Sequence, residues 1–185
     1  GELNSTTFAG LTNLEILLLS DNLIEGLTPL TFQPISNIQL IDLSRNQISR
    51  SSNKAFQGLV LNSELLLAKC FLVEITTEMF ADQQSLDSLD LSNNQIEIVK
   101  QYAFKSLVQL TSLDLSDNLI TTLEVNSFKG LDNLTELFLN GNNIKLVNRQ
   151  ILNGLSRLKI LDLSQNEIGV IEADSLRELI FLETL

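Results

Sequence analysis

Carboxylates are the residues whose spacing first suggests chemistry. Asp42, Asp90, Asp114 and Asp162 recur at multiples of 24 residues, and Glu136 falls beside the same row. Paired acids of this kind perform glycoside hydrolysis when one carboxyl is desolvated relative to the other. That inequality needs an enclosing pocket, and no insertion interrupts the 24-residue spacing to build one. An enzyme is therefore not expected. The chain has no histidine and a single cysteine, which excludes Ser-His triads, metal sites built on Cys and His, and intrachain disulfides. No pattern calls for a cofactor or a metal.

Two other groups could carry chemistry. Cys70 is a possible thiol nucleophile, but a buried thiol with no acidifying neighbour is inert, and that is the reading adopted. Asn4-Ser5-Thr6 and Asn133-Leu134-Thr135 are N-x-S/T sequons, so Asn4 and Asn133 are candidate glycosylation sites.

What positions all of these is a repeat. The segment LTSLDLSDNLI at 110–120 has the form LxxLxLxxNxI, and its first leucine recurs as Leu14, Ile38, Asn62, Leu86, Leu110, Leu134, Leu158 and Leu182, every step being 24. The asparagine slot reads Asn22, Asn46, Cys70, Asn94, Asn118, Asn142 and Asn166. A later column holds Phe8, Phe32, Phe56, Phe80, Phe104 and Phe128, then Leu152 and Leu176. A fixed period in this range is the signature of a solenoid. One domain, 1–185, is expected, with strand cores near 14–24, 38–48, 62–72, 86–96, 110–120, 134–144 and 158–168 and an eighth unit at 182–185. The third unit is the least regular, with Asn62 in a leucine slot and Ser51 in an apolar column.

In an extended L-x-L segment both leucines point to one face, while the residue between them points to the other. One unit cannot bury its leucines alone, so neighbours must stack as a parallel sheet. The asparagine amide can serve backbone groups left without partners where the chain turns. The phenylalanines fill the wider far side, so the strands are expected to line a concave face.

These motifs resemble the leucine-rich repeat family, and the FxGLxxL half of the unit, as at Phe8–Leu14 and Phe128–Leu134, is similar to its 24-residue extracellular subtype. That subtype occurs in Toll-like receptor ectodomains, Slit-like proteins and small proteoglycans. The resemblance implies an α/β solenoid: a horseshoe with a concave parallel β-sheet and a mostly irregular convex side. It also implies an extracellular or cell-surface location, and it covers a cysteine in the asparagine slot. Cysteine-rich caps are missing, so the chain is expected to be a piece of a longer ectodomain.

Aligning the units sorts side chains by face. Most of the net charge of −11 falls on the strand side, where the only bases are Arg45, Lys69 and Lys159. Such a face repels phosphate and anionic membranes and steers cationic surfaces inward. Nucleic acid is accordingly not an expected partner, and no apolar run approaches the length of a membrane span. Asp42, Asp90, Asp114, Glu136 and Asp162 are candidate acidic contacts, although solubility alone also accounts for them. Large apolar residues replace the polar consensus at Ile16, Leu18, Leu23, Leu40, Leu66 and Phe71, with a smaller pair at Phe138 and Ile160. Exposed apolar clusters of this kind mark interfaces. The expected function is protein recognition by a receptor or adhesion ectodomain, its partner a protein ligand or co-receptor with a partly cationic or apolar surface, and a homodimer is left open. The alternative is a structural scaffold without a receptor role.

Overall fold

The computed structural model describes residues 1–35, 38–48, 50–51 and 54–185; the side chains of Arg50 and of Ser51, the polar member of the apolar column, lie outside the described set. Seven three-residue strands form one parallel sheet in chain order: Ile16–Leu18, Leu40–Asp42, Glu64–Leu66, Ser88–Asp90, Ser112–Asp114, Glu136–Phe138 and Ile160–Asp162. Their register is a straight row, Leu17 beside Ile41, then Leu65, Leu89, Leu113, Leu137 and Leu161. This central residue is buried in every strand and its two neighbours face outward, as the period-2 geometry of a strand demands.

The far side is irregular, with two-residue parallel strands such as Ile98–Val99 beside Thr122–Leu123 and a 3-10 turn at Gln33–Ile35. Along it Phe8, Phe32, Phe56, Phe80, Phe104 and Phe128 stack in a continuous column with centroids 5.4–6.5 Å apart. Paired strands sit about 4.8 Å apart. The rings are spaced more widely than the strands, so each turn is a wedge and the sheet lies on the inside of the curve.

Except at Cys70, the bend after each strand carries an asparagine amide. Asn118 Nδ2 donates to Leu115 O at 3.1 Å and to Leu91 O of the preceding turn at 3.0 Å, while its Oδ1 accepts Ile96 N–H at 3.1 Å. Asn46, Asn94, Asn142 and Asn166 repeat the pattern. The residue before each slot is left-handed, with φ between 52° and 67° at Asp21, Arg45, Lys69, Asn93, Asp117, Gly141 and Gln165. Gly141 is the one glycine of this row, and a Cβ there would run into the Asp117 carboxylate.

The third unit departs from the pattern in a way the spacing does not foretell. Asn62, aligned with the first leucine, is exposed, and Leu61 is buried in its place. The chain has slipped by one residue. In regular units the first leucine donates its N–H back three residues, as Leu110 does to Leu107 O at 3.1 Å; here Asn62 N–H goes to Ile38 O instead. The Leu59 carbonyl freed in this way is taken by Gln83, a fully buried amide in a column otherwise made of leucine and isoleucine. Its Nε2 donates to Leu59 O at 2.7 Å and Phe56 O at 3.1 Å, and its Oε1 accepts Leu61 N–H at 3.2 Å.

Replacing Gln83 with leucine restores the repeat's own apolar pattern yet orphans buried backbone groups. Gln83→Leu is expected to lower the unfolding free energy by about 2 kcal/mol and the urea midpoint with it; a midpoint at or above wild type would show that the amide carries none of this role.

Candidate recognition surface

The outward residues of the strands form two rows set by the register. The first runs Ile16, Leu40, Glu64, Ser88, Ser112, Glu136, Ile160, and the second Leu18, Asp42, Leu66, Asp90, Asp114, Phe138, Asp162. Ile16 and Leu40 are therefore direct neighbours, whereas Asp42 separates Leu18 from Leu66. Ile16 and Leu18 are exposed, Leu18 by 66%. Leu40, Leu66, Phe138 and Ile160 are half-buried between flanking strands. Phe138 lies between Asp114 and Asp162, and Ile160 beside Glu136, so this pair is separated from the first cluster by two polar turns.

The aspartates have a structural task that the alignment does not disclose. Asp42, Asp90, Asp114 and Asp162 each accept, on Oδ1, the N–H of the serine two residues later, at 2.8–2.9 Å. An Asx turn of this kind ends the strand and explains the L-D-L-S wording of the unit. Burial raises the Asp114 carboxyl above its ordinary range, against the lowering effect of Ser116, and Asp90 and Asp117 add repulsion.

Beyond the strands lies a flank where Leu23 and Phe71 stand out, exposed by 73% and 49%. A shallow hollow of about 410 Å³ between them is lined by Asp21, Arg45, Asn46, Gln47 and Lys69 as well. A second, of about 340 Å³, lies on the other side of Phe71, among Lys69, Asn93, Gln95 and Asp117. Arg45 is committed to Asp21, Nε to Oδ1 at 2.6 Å and Nη2 to Oδ2 at 2.5 Å, a bond that holds the Asp21 carboxyl below its usual range. Lys159 pairs with Glu183 at 3.6 Å. Lys69 has no ion pair among the described residues.

Cys70 is buried, and desolvation pushes its thiol up to about 11, so it is not a nucleophile at neutral pH. Its Sγ donates to Leu43 O at 3.2 Å, standing in for one asparagine bond. It cannot reproduce the rest, and Asn94 Oδ1 here accepts two N–H groups, from Cys70 at 2.9 Å and from Leu72 at 3.0 Å. Phe71 is clasped between those two donors with φ of 61°, and none of its counterparts in other units is left-handed.

The sequons differ in availability. Asn133 Nδ2 is bonded to Val108 O at 2.8 Å and its Oδ1 to Arg157 Nη1 at 2.7 Å. Asn4 is exposed, and the Thr6 hydroxyl donates to its Oδ1 at 2.7 Å. Among the described residues no cluster of histidine, cysteine, aspartate and glutamate could hold a metal ion, and no helix is long and apolar enough to cross a membrane.

A family model described as leucine rich repeat matches the chain at residues 1–48, 12–70, 63–120, 84–144, 109–168 and 133–185. Among solved structures, a chain in the crystal structure of the TLR13–ssRNA13 complex is similar, with TM-score 0.93 and 35% identity. That likeness covers 98% of this chain and 26% of the other, so this chain spans 26% of that relative's length. No curated protein matches.

The raised Asp114 carboxyl sets a pH test. Its charged form is penalised by burial, so its contribution to folding is most favourable below the ordinary aspartate range and is lost as pH rises through the raised folded value. Asp114→Asn keeps an oxygen for Ser116 N–H and removes the charge. The variant is expected to have a higher urea midpoint than wild type at neutral pH, with the gap closing near about pH 3; a lower midpoint at neutral pH would contradict the burial argument.

Proposed function

Because this chain belongs to the leucine-rich repeat family, we propose that it is a non-enzymatic protein-recognition module from an extracellular receptor or adhesion ectodomain. The observation that carries this reading is the apolar group at one end of the outward rows, exposed Ile16 and Leu18 with half-buried Leu40, and Leu66 beside Asp42. The stacked sheet holds those side chains at fixed spacing before a partner arrives, so little ordering entropy is lost on contact. The carboxylate rows around them favour a partner with cationic groups at its rim. The similarity to the TLR13 chain supports a receptor and a cell-surface or extracellular setting.

That relative was crystallised with single-stranded RNA, which makes RNA the second reading. The outward rows here offer Asp42, Asp90, Asp114, Glu136 and Asp162 to a ligand and no arginine or lysine, an arrangement that repels phosphate. A protein partner is therefore preferred over RNA. We also propose Asn4 as the glycosylated sequon, since its Nδ2 is free to be modified while that of Asn133 already holds a backbone carbonyl.

Screening the labelled chain against secreted and cell-surface proteins, with a single-stranded oligoribonucleotide in parallel, tests the reading. A protein contact is expected that weakens about tenfold in Leu18→Asp, with the urea midpoint unchanged. Binding of RNA alone, or a protein contact indifferent to Leu18→Asp and Leu66→Asp, would overturn it. In material from secretory cells, glycosidase treatment should shift the mobility of wild type and of Asn133→Gln but not of Asn4→Gln; the opposite pattern would move the glycan to Asn133.

A further inference from the structure

The flank beside the sheet carries a feature that the apolar cluster on the strands does not explain. Along the column after the asparagine slot the residues alternate, Leu23, Gln47, Phe71, Gln95, Leu119, with the three apolar ones exposed. Phe71 stands as a partition between the two hollows, and it does so at the expense of backbone strain. A bulky side chain in the left-handed region is strained, and retained strain of that kind concentrates at functional sites. The fork of Cys70 and Leu72 N–H groups on Asn94 Oδ1 holds it there. Next to it is Lys69, which has no carboxylate partner among the described residues, whereas Arg45 is bonded to Asp21 and Lys159 to Glu183.

The spacing selects what can occupy the two hollows. They are centred two turns apart, on the units of Asn46 and Asn94, which at the strand spacing is about 10 Å. An extended β-segment repeats its facing side chains every ~6.8 Å and would meet the ridge of Phe71 with its second residue. An α-helix brings a side chain to the same face at every turn, ~5.4 Å along, so its middle turn would also strike Phe71. A polyproline II segment places residues i and i+3 on one face ~9.3 Å apart and sets the two between them to its sides, clear of the ridge but within reach of a long neighbouring side chain.

We propose that this flank, in keeping with the recognition role on which the idea rests, docks a polyproline II segment that straddles Phe71. Apolar side chains three residues apart enter the two hollows, and a carboxylate between them meets the Lys69 ammonium. The glutamine and asparagine side chains of Gln47, Asn93 and Gln95 face the segment's exposed carbonyls, which polyproline II leaves without internal hydrogen bonds.

The probe is the peptide acetyl-Pro-Pro-Leu-Pro-Asp-Leu-Pro-Pro-amide, fluorescently labelled and titrated with the whole chain. Binding is expected to fall about tenfold in Phe71→Asn and in Lys69→Glu, and a peptide with lysine in place of its aspartate should regain affinity for Lys69→Glu. Asparagine accepts the left-handed backbone, so Phe71→Asn should raise the urea midpoint while losing the peptide, a combination that misfolding cannot produce. Equal binding of a peptide whose leucines are two residues apart would overturn the proposal, as would an oligoribonucleotide that binds through Phe71 when the peptide does not. If the peptide fails while a Leu18-dependent protein contact persists, the flank proposal falls and the sheet-face reading stands; peptide binding through Phe71 with no Leu18-dependent contact gives the reverse.

Discussion

Every bend that follows a strand leaves carbonyls and N–H groups with no ladder partner, and these groups sit in the interior where water cannot reach them. An unpaired buried group of this kind costs about 1–3 kcal/mol, repeated at each turn. The asparagine amide answers the problem with one side chain that has donors on one atom and an acceptor on the other. Because Asn118 bonds carbonyls of its own turn and of the one before, and takes an N–H from the one before, it is both a turn residue and a joint between turns. The period of the chain follows from this. A unit lengthened by a residue ahead of its slot would carry the amide away from three groups at once, and no unit here is lengthened.

Curvature is a second consequence of what is stacked on each side. Hydrogen bonding fixes the strand edge near its ladder spacing, while rings from Phe8 to Phe128 keep their thickness and offset at 5.4–6.5 Å. A stack that is thinner on one side must bend toward it. The outward rows therefore converge on a common region in front of the sheet, where carboxylates and apolar residues from distant parts of the sequence are presented together. The aspartates belong to this surface only in part. Their Oδ1 atoms are spent on strand termination, so the acidic row is first a device for ending strands and only then a charge pattern.

The legible features were those fixed by the period itself. The central leucines, the asparagine slot and the phenylalanine column each sit where a simple alternation puts them, because their partners are the same residues one turn away. What escaped were departures whose compensation lies in another unit. The slip that buries Leu61 and exposes Asn62 is a change of one residue, and spacing alone assigned the slot to Asn62. Gln83 gives no signal in the sequence, since nothing near it shows that Leu59 O and Leu61 N–H need a partner. The left-handed Phe71 was equally hidden: its exposure could be inferred from its column, but its conformation comes from Asn94, on the next turn. The apolar residues of the strands were found in the right rows, yet Asp42 and the polar central turns divide them into smaller groups than the alignment suggested.

The joint made by Gln83 differs in kind from the asparagine joints. An asparagine bonds groups that every turn offers in the same place, so any regular turn can follow any other, and a lineage of such chains can lengthen or shorten by copying or deleting a unit. Gln83 answers a vacancy created by the slip in the turn before it. The third and fourth turns are thus a matched pair that must be inherited together: a copy of either one alone would bring an amide with nothing to bind or a slip with nothing to heal it. Modularity in this chain runs up to that seam on both sides and stops there.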